Sequence, residues 1–543
     1  MWSQNYTPIA GNLAVSALAA AVPIFTLLYL LGVRRLPSWK AGLAGLAAAT
    51  LVALAVYRMP LATVVSAIGF GAAFGVLPIG YVVFTAILLY RVTVEAGKFE
   101  VIKDSIGSLT DDRRLQALLI AFAFGAFIEG AAGFSTPVAV AAAMLTGLGF
   151  SPFYSAGICL LANTAPVAYG SIGTPVVTLA TVTGLPVGPL SAAVGRICAP
   201  ISLFVPAYLI AVMGGWKACK RVLPAIAICG VSFATTQLFV SNYLGPQVTD
   251  ILSSLAAMGS LVLLLCVWKP KDSFALEGDL AVRPVAKRHP AREVWLAWGP
   301  YMILVVMVLV WGFCKDPLNK VTVTFPWPGL HRQVMQMPPV VASPSPYGAL
   351  YKFDWLAASG TACLLASVLS ALLLGMSPAR FGKVLWSTAK QLLFPEITIA
   401  TVLALAFLMN YSGATATLGL AFAATGVLFP FFSALLGWIG VFLTGSDTSA
   451  NALFGNLQVV TAGRLHLNPI LMAAANSSGG VMGKMIGLQS IAVATAATGM
   501  PSSEEAKLFR FTLRHSIILV VAVGLVVVFY AYVAPQWAPT WIP

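Results

Sequence analysis

The sequence predicts an all-α polytopic membrane protein, with about 12 transmembrane helices plus two re-entrant hairpins arranged as two inverted-topology repeats with broken helices. Three observations carry that prediction. Hydrophobic residues make up 59% of the chain and charged residues only 9%, against roughly 25% charged in soluble domains. Apolar stretches of about 20 residues, each able to cross a ~30 Å hydrocarbon layer, recur from end to end. Two distant segments also carry the same pattern of helix breaks.

Backbone groups in lipid must be satisfied within their own segment, so each apolar stretch is a helix. Full spans are read at 10–33, 41–57, 65–90, 153–184, 189–214, 222–243, 250–268, 295–313, 355–376, 393–410, 469–498 and 515–535. The stretches 115–150 and 427–463 are interrupted in the middle and read as hairpins that enter and leave on one side.

Loop charge supports this count. With the N-terminus outside, the inner loops hold 23 of the 31 basic residues, including six between Lys269 and Arg292. Treating either hairpin as a single crossing inverts every later loop and spoils the positive-inside bias. Both termini are therefore expected in the periplasm. The same bias explains the net charge of +14 without nucleic acid, because the basic residues sit in short loops between apolar runs. Met1 to Val33 carries no charged residue, so a cleavable signal peptide is not expected. Seven scattered cysteines without CxxC point away from disulfides and metal clusters. Four widely separated histidines, and no HExxH or GxSxG, weaken an enzyme reading. No cofactor or metal is expected.

The repeat is visible in LLANTAPVAYGSIGTPVVTLATVTGLP, ending at Pro186, and AAANSSGGVMGKMIGLQSIAVATAATGMP, ending at Pro501. Each reads Ala-Asn-Thr/Ser, then a Gly-rich break, then apolar residues, then Thr-Gly-Leu/Met-Pro. Each follows an interrupted hairpin, and an odd number of predicted crossings separates the two units. That makes them inverted, a hallmark of secondary carriers. The expected division is a first repeat over 1–214, linking helices and an inner loop over 215–294, and a second repeat over 295–543.

Charges inside apolar spans are rare and functional by default. Glu129 is the only charged residue between Leu115 and Gly195, in FIEGAAGFSTP at the middle of the first hairpin. Asp447 sits in LTGSDTSANALF at the middle of the second, among Ser446, Thr448, Ser449 and Asn451. Lys484 lies within the second broken span, and Arg196 in the span after the first. The breaks add Asn163, Thr164 and Ser171 in the first, and Asn476, Ser477, Ser478 and Gln489 in the second. A half-helix N-terminus exposes N–H groups that suit a carboxylate, and unwound carbonyls suit a cation. Two hairpin tips and two broken helices could thus form one polar pocket near the bilayer midplane. Each residue also has a structural reading. Asp447 caps a half-helix or serves binding and coupling. Arg196 and Lys484 bind the substrate or simply neutralise Glu129 and Asp447. Gly130 and Gly133 favour close packing.

At these residues the chain resembles the L-lactate permease family, which includes glycolate permeases. The resemblance rests on FIEGAAGFSTPVAVAAAMLTGLGF, CLLANTAPVAYGSIGTP, TGSDTSANALFGNLQ and GKMIGLQSIAVA, with WSQNYTPIAGN and LFRFTLRHSI near the ends. It covers essentially the whole chain. One departure is Ser135, where the family usually has Gly. The resemblance implies a secondary carrier of L-lactate and related 2-hydroxy monocarboxylates (glycolate, D-lactate), by proton symport in the inner membrane. It also implies kinship with carriers that move their site by an elevator motion. The partners are then the substrate, a proton and the lipid bilayer, with a homo-oligomer compatible with the sequence. On this reading Lys484 or Arg196 holds the carboxylate, and Asn, Ser and Thr side chains read the hydroxyl. Glu129 carries the proton as a buried acid, with Asp447 second in line. The alternative is a sodium-coupled carrier of another small carboxylate, with Asp447 and hairpin carbonyls around the cation. A pore or an intramembrane enzyme fits broken inverted repeats less well. The outer loop 315–354 has no functional account.

Overall fold

The computed structural model describes residues 1–133, 136–270, 289–501 and 504–539, with 272, 274 and 276 as isolated positions. Ser135 lies outside the described residues. Among the described residues, eleven helices are long and apolar enough to cross a membrane, or thirteen when each of two bent pairs counts as one span. Helices run through nearly the whole chain, and the few strands are short.

Both interrupted stretches turn back on themselves. In the first hairpin the chain is helical from Arg113 to Ala131 and again over Thr136–Gly147. Its two ends meet on one face, where Arg113 donates from Nη1 to the Leu148 carbonyl at 2.7 Å. The second hairpin is Phe429–Thr444 followed by Asp447–Arg464. Its arms are antiparallel, since Gln458 donates to the Ser433 carbonyl at 3.2 Å while Gly440 packs on Ala450.

The two bent pairs fall in the repeated segments. The first broken helix is Pro152–Ala162 plus 167–183, bent by 63°, and the second is Pro469–Ile486 plus Leu488–Thr498, bent by 41°. Small residues let these elements approach closely. A Cβ on Gly479 would lie 2.1 Å from the Ala434 carbonyl oxygen, so the second broken helix and second hairpin pack backbone to backbone.

Both termini lie on one face. Trp2–Ser3 pairs in parallel with Val334 and Met335 of the outer loop, and Asn468 donates to the Pro539 carbonyl at 2.8 Å. Gln4 and Tyr6 share a cavity wall with Arg464 and His466. The opposite face carries the ion pairs. Arg114, fully buried, reaches Asp112 at 2.6 Å and Asp272 at 3.1 Å, and His289 bridges Asp104 and Glu293 at 2.9 and 3.1 Å.

Several elements differ from the sequence reading. The span read at 65–90 is broken, with Leu61–Phe74 and Tyr81–Glu95 flanking Gly75–Gly80, where Leu77 is extended. The Glu396 carboxylate packs against Gly80 in that break. The span at 393–410 is the end of the 35-residue helix Pro378–Ser412, which extends well beyond the apolar run. A further helix, Ala414–Phe422, follows Gly413 and leads into the second hairpin. The outer loop is not featureless: Val323–Pro326 pairs antiparallel with Leu350–Phe353, and Val334–Gln336 bridges the N-terminal strand to Ser345–Pro346. Hydropathy reads apolar length and is blind to such pairing.

Candidate functional site

The first break is made by backbone rather than by charge. Ser171, Ile172 and Gly173 follow one another in the left-handed region, with φ of 46°, 60° and 73°. For Ser and Ile that conformation costs on the order of 1–3 kcal/mol each. Two contacts hold it. Ser171 donates from Oγ to the Ala132 carbonyl at 2.9 Å, tying the break to the first hairpin. Thr174 donates to the Ser171 carbonyl at 2.5 Å. Gly133 must lack a side chain there, since its Cβ would lie 2.0 Å from Ser171 Oγ.

The second hairpin turns at Gly445, φ +72°, and Ser446 caps the returning helix by accepting from the Ser449 N–H at 3.2 Å. Asp447 is therefore not the cap. As first residue of the helix it turns its carboxylate inward, accepting from Ser477 Oγ at 2.6 Å and from Asn451 Nδ2 at 3.3 Å. Asn451 also donates to Ser477 Oγ at 3.1 Å and, across to the first broken helix, to the Pro175 carbonyl at 3.2 Å. Asn476 donates to Asn451 Oδ1 at 2.9 Å and accepts from Gln458 at 3.0 Å.

Lys484 opens the second break. Its side chain is buried, and Nζ donates to the Gly445 carbonyl at 2.7 Å, next to the cap. It stands within electrostatic reach of both Glu129 and Asp447. Glu129, 4% exposed, lies against Gly170, whose Cβ would sit 2.5 Å from the Oε1 atom.

These elements surround a cavity of about 280 Å³. Glu129, Ser171, Asp447 and Lys484 line it, with Ser446, Thr448, Ser449 and Gln489 beside them. Pro37, Trp39 and Phe394 form its mouth, on the face of the ion pairs.

The remaining predicted residues stand elsewhere. Asn163 is buried with its amide toward the Glu129 carboxyl. Thr164 turns back to the Leu161 carbonyl at 2.8 Å. Asn476 and Ser477 sit behind the wall in the Asp447 network, and Ser478 faces Cys198. Arg196 corrects the sequence reading. It points away from the cavity toward the face of the termini, donating from Nε to Asn242 at 2.9 Å and from Nη1 to the Trp537 carbonyl. A guanidinium midway along an apolar run finds its polar partners here on the helix Leu223–Tyr243 and in the C-terminal segment.

Sequence reasoning missed Gln458 and Asp250. Gln458 lies in an arm that reads as ordinary helix. Asp250 begins a span and looks like an interfacial acid, yet it is 1% exposed against the first hairpin.

Residues 16–534 match the L-lactate permease family. This chain belongs to that family. It is 46% identical to the L-lactate permease of Bacillus subtilis over 97% of both chains. It is 44% identical to the Escherichia coli glycolate permease GlcA over 98% of both, and 42% identical to the Escherichia coli L-lactate permease over 99% of this chain and 100% of that one. The permease is thus a multi-pass membrane transporter and not an enzyme. Among solved structures, the Alcanivorax borkumensis YdaH transporter is similar at 13% identity and a TM-score of 0.46, over 88% of this chain and 89% of that one. The Neisseria gonorrhoeae MtrF efflux pump gives 13% and 0.45, over 87% and 83%.

Proposed function

We propose that this permease imports lactate, glycolate and related 2-hydroxy monocarboxylates across the inner membrane together with a proton. The carrying observation is one small cavity that joins a buried lysine, a capped helix start and two buried acids, in a chain whose relatives are named lactate and glycolate permeases. The ammonium of Lys484 and the first-turn N–H groups after Ser446 hold the carboxylate. Hydroxyls of Ser171, Ser446, Thr448 and Ser449, with the Gln489 amide, read the 2-hydroxyl. A few such groups around one cavity suit a small hydroxy acid and disfavour a larger apolar one, which would strand them unpaired.

Glu129 carries the coupled proton. It faces the cavity from the tip of the first hairpin, with Asn163 as a polar neighbour, whereas the Asp447 carboxylate is tied at Oδ2 to Ser477 and Asn451. Once protonated, it crosses the low-dielectric barrier uncharged.

The two hairpin and broken-helix units act as inverted repeats, 1–214 and 295–543 joined by 215–294, and carry the site past the other helices in an elevator motion. The basic face is cytoplasmic by the loop-charge rule, which puts both termini in the periplasm and the cavity mouth inward. Cysteine labelling at Ser3 and Gln536 tests the orientation, and labelling of both from the cytoplasm alone overturns it.

The functional test is uptake of labelled lactate and glycolate by proteoliposomes, with pH and sodium gradients imposed separately. Accumulation with the pH gradient and indifference to sodium is expected; dependence on sodium alone moves coupling to a cation site. Glu129→Gln, a close mimic of the protonated acid, should lose accumulation driven by a pH gradient while exchange persists. Uphill accumulation by Glu129→Gln together with failure of Asp447→Asn reverses the two roles.

A further inference from the structure

Asp250 stands in the partition between two cavities. It is the second residue of the helix Thr249–Val267. Its side chain is 1% exposed, and neither carboxyl oxygen has a hydrogen-bond partner among the described residues. It packs against the first hairpin at the residue next to Glu129: a Cβ on Gly130 would lie 2.8 Å from Asp250 Cβ and 3.0 Å from Ile251. Glu129 lines the site cavity. Gln247 and Val248, just before Asp250, line a second cavity of about 490 Å³, which reaches Ile172 and Thr174 on the far side of the left-handed break.

The titratable groups that face Asp250 are Glu129 from the hairpin, Tyr169 from the first break and Cys198 from the helix Val187–Arg221. The Tyr169 hydroxyl is committed to the Ser191 carbonyl at 2.6 Å. None of these groups is a cation; Lys484 faces the Glu129 side of the pair, from the site cavity. An ionised carboxylate buried without donor or counter-ion costs several kcal/mol, and two acids side by side do not both ionise cheaply.

We propose that Asp250 and Glu129 form one acid pair at the tip of the first hairpin, and that the pair, not Glu129 alone, holds the coupled proton. The two carboxyls do not touch and act on each other through their charge: while one is ionised, its field holds the proton on the other, so the pair carries at most one negative charge. Glu129 exchanges its proton with the site cavity, and the state of Asp250 in the partition sets when it does so. This inference rests on the proton-symport reading above.

The test is a mutant cycle in proteoliposomes, with Glu129→Gln, Asp250→Asn and the double variant. Each is read for accumulation driven by a pH gradient and for lactate exchange without one. Groups that act as a unit are non-additive, so each single change should cut accumulation by about tenfold or more, exchange by less than about threefold, and the double variant should be no worse than either. Should Asp250→Asn fail to insert, Asp250→Ser, smaller and uncharged, takes its place. Normal accumulation in the Asp250 variant beside a defective Glu129→Gln overturns the pair and leaves the symport reading standing. Equal loss of exchange and accumulation in the Asp250 variants overturns it too, by making Asp250 structural. Absence of pH-driven uptake in the unaltered protein sinks the symport reading itself, and the pair with it.

Discussion

The two hairpin and broken-helix units face one cavity but are built differently. In the second, Asp447, Asn451, Ser477, Asn476 and Gln458 form a continuous hydrogen-bonded chain behind the wall. In the first no such chain runs: Asn163 faces the Glu129 carboxyl, and neither Asp250 oxygen beside them has a partner among the described residues. The first unit is held instead by strained backbone at Ser171 and Ile172. A connected network fixes a shape, though Asp447 Oδ1 and Gln458 Oε1 within it also lack a partner among the described residues. The second unit is the more extensively cross-linked wall of the site.

This contrast can be broken in a graded way. Lys484 is the one cation that serves both units among the groups lining the cavity. Lys484→Ala should weaken lactate binding by about 2–5 kcal/mol, because it removes a desolvated charge partner. Titration calorimetry on purified protein checks it, with normal affinity leaving the carboxylate to backbone N–H groups alone. Next is that cross-linked wall. Asn451→Ala strands Ser477, Asn476 and the Pro175 carbonyl, and should cost on the order of 3 kcal/mol in thermal stability. A melting temperature matching the parent protein would show the network to be dispensable.

Smaller effects sharpen the comparison. Asp447→Asn keeps one acceptor for Ser477 and Asn451, so stability should fall by only about 1 kcal/mol and pH-driven accumulation should survive. Asn163→Ala in the first unit removes at most its contact with the Glu129 carboxyl, so its stability should fall by no more than about 1 kcal/mol while transport kinetics change. Kinetics identical to the parent would make Asn163 a bystander. Arg196→Ala should leave lactate affinity intact, since its partners are Asn242 and the Trp537 carbonyl.

The smallest effect lies outside the site. Hydrogen bonds to Asp104 and Glu293 raise the His289 pKa above the ordinary histidine value. A raised folded value means the stabilisation is complete below the unfolded value of about 6.5 and fades as pH rises through the folded one. The melting temperature of His289→Ala should therefore trail the parent at mildly acidic pH, and the gap should close in alkaline buffer. A gap that widens with pH would contradict that sign.

Much of this was legible in the sequence. A lone Glu129 or Asp447 in a long uncharged run marks a hairpin middle, because an unexplained charge in lipid is too costly to persist. The Gly-rich repeats at Asn163 and Asn476 mark the two bends, because glycine next to polar residues interrupts an apolar helix. Arg196 and Lys484 read alike in the sequence. Both are cations in apolar runs, and only three-dimensional neighbours distinguish a lysine at the Gly445 carbonyl from an arginine under the C-terminal segment.

Composition and periodicity by themselves determined a polytopic helical protein with two interruptions in matching order. Those properties are local: apolar length, helix-breaking residues and loop charge act within about 20 residues of chain. Tertiary structure alone decided which polar atoms are satisfied. Asp447 Oδ2 is bonded by Ser477 and Asn451, while neither Asp250 oxygen has a partner among the described residues. That difference depends on hydrogen bonds good to a few tenths of an ångström between segments far apart in sequence, and no local pattern encodes it.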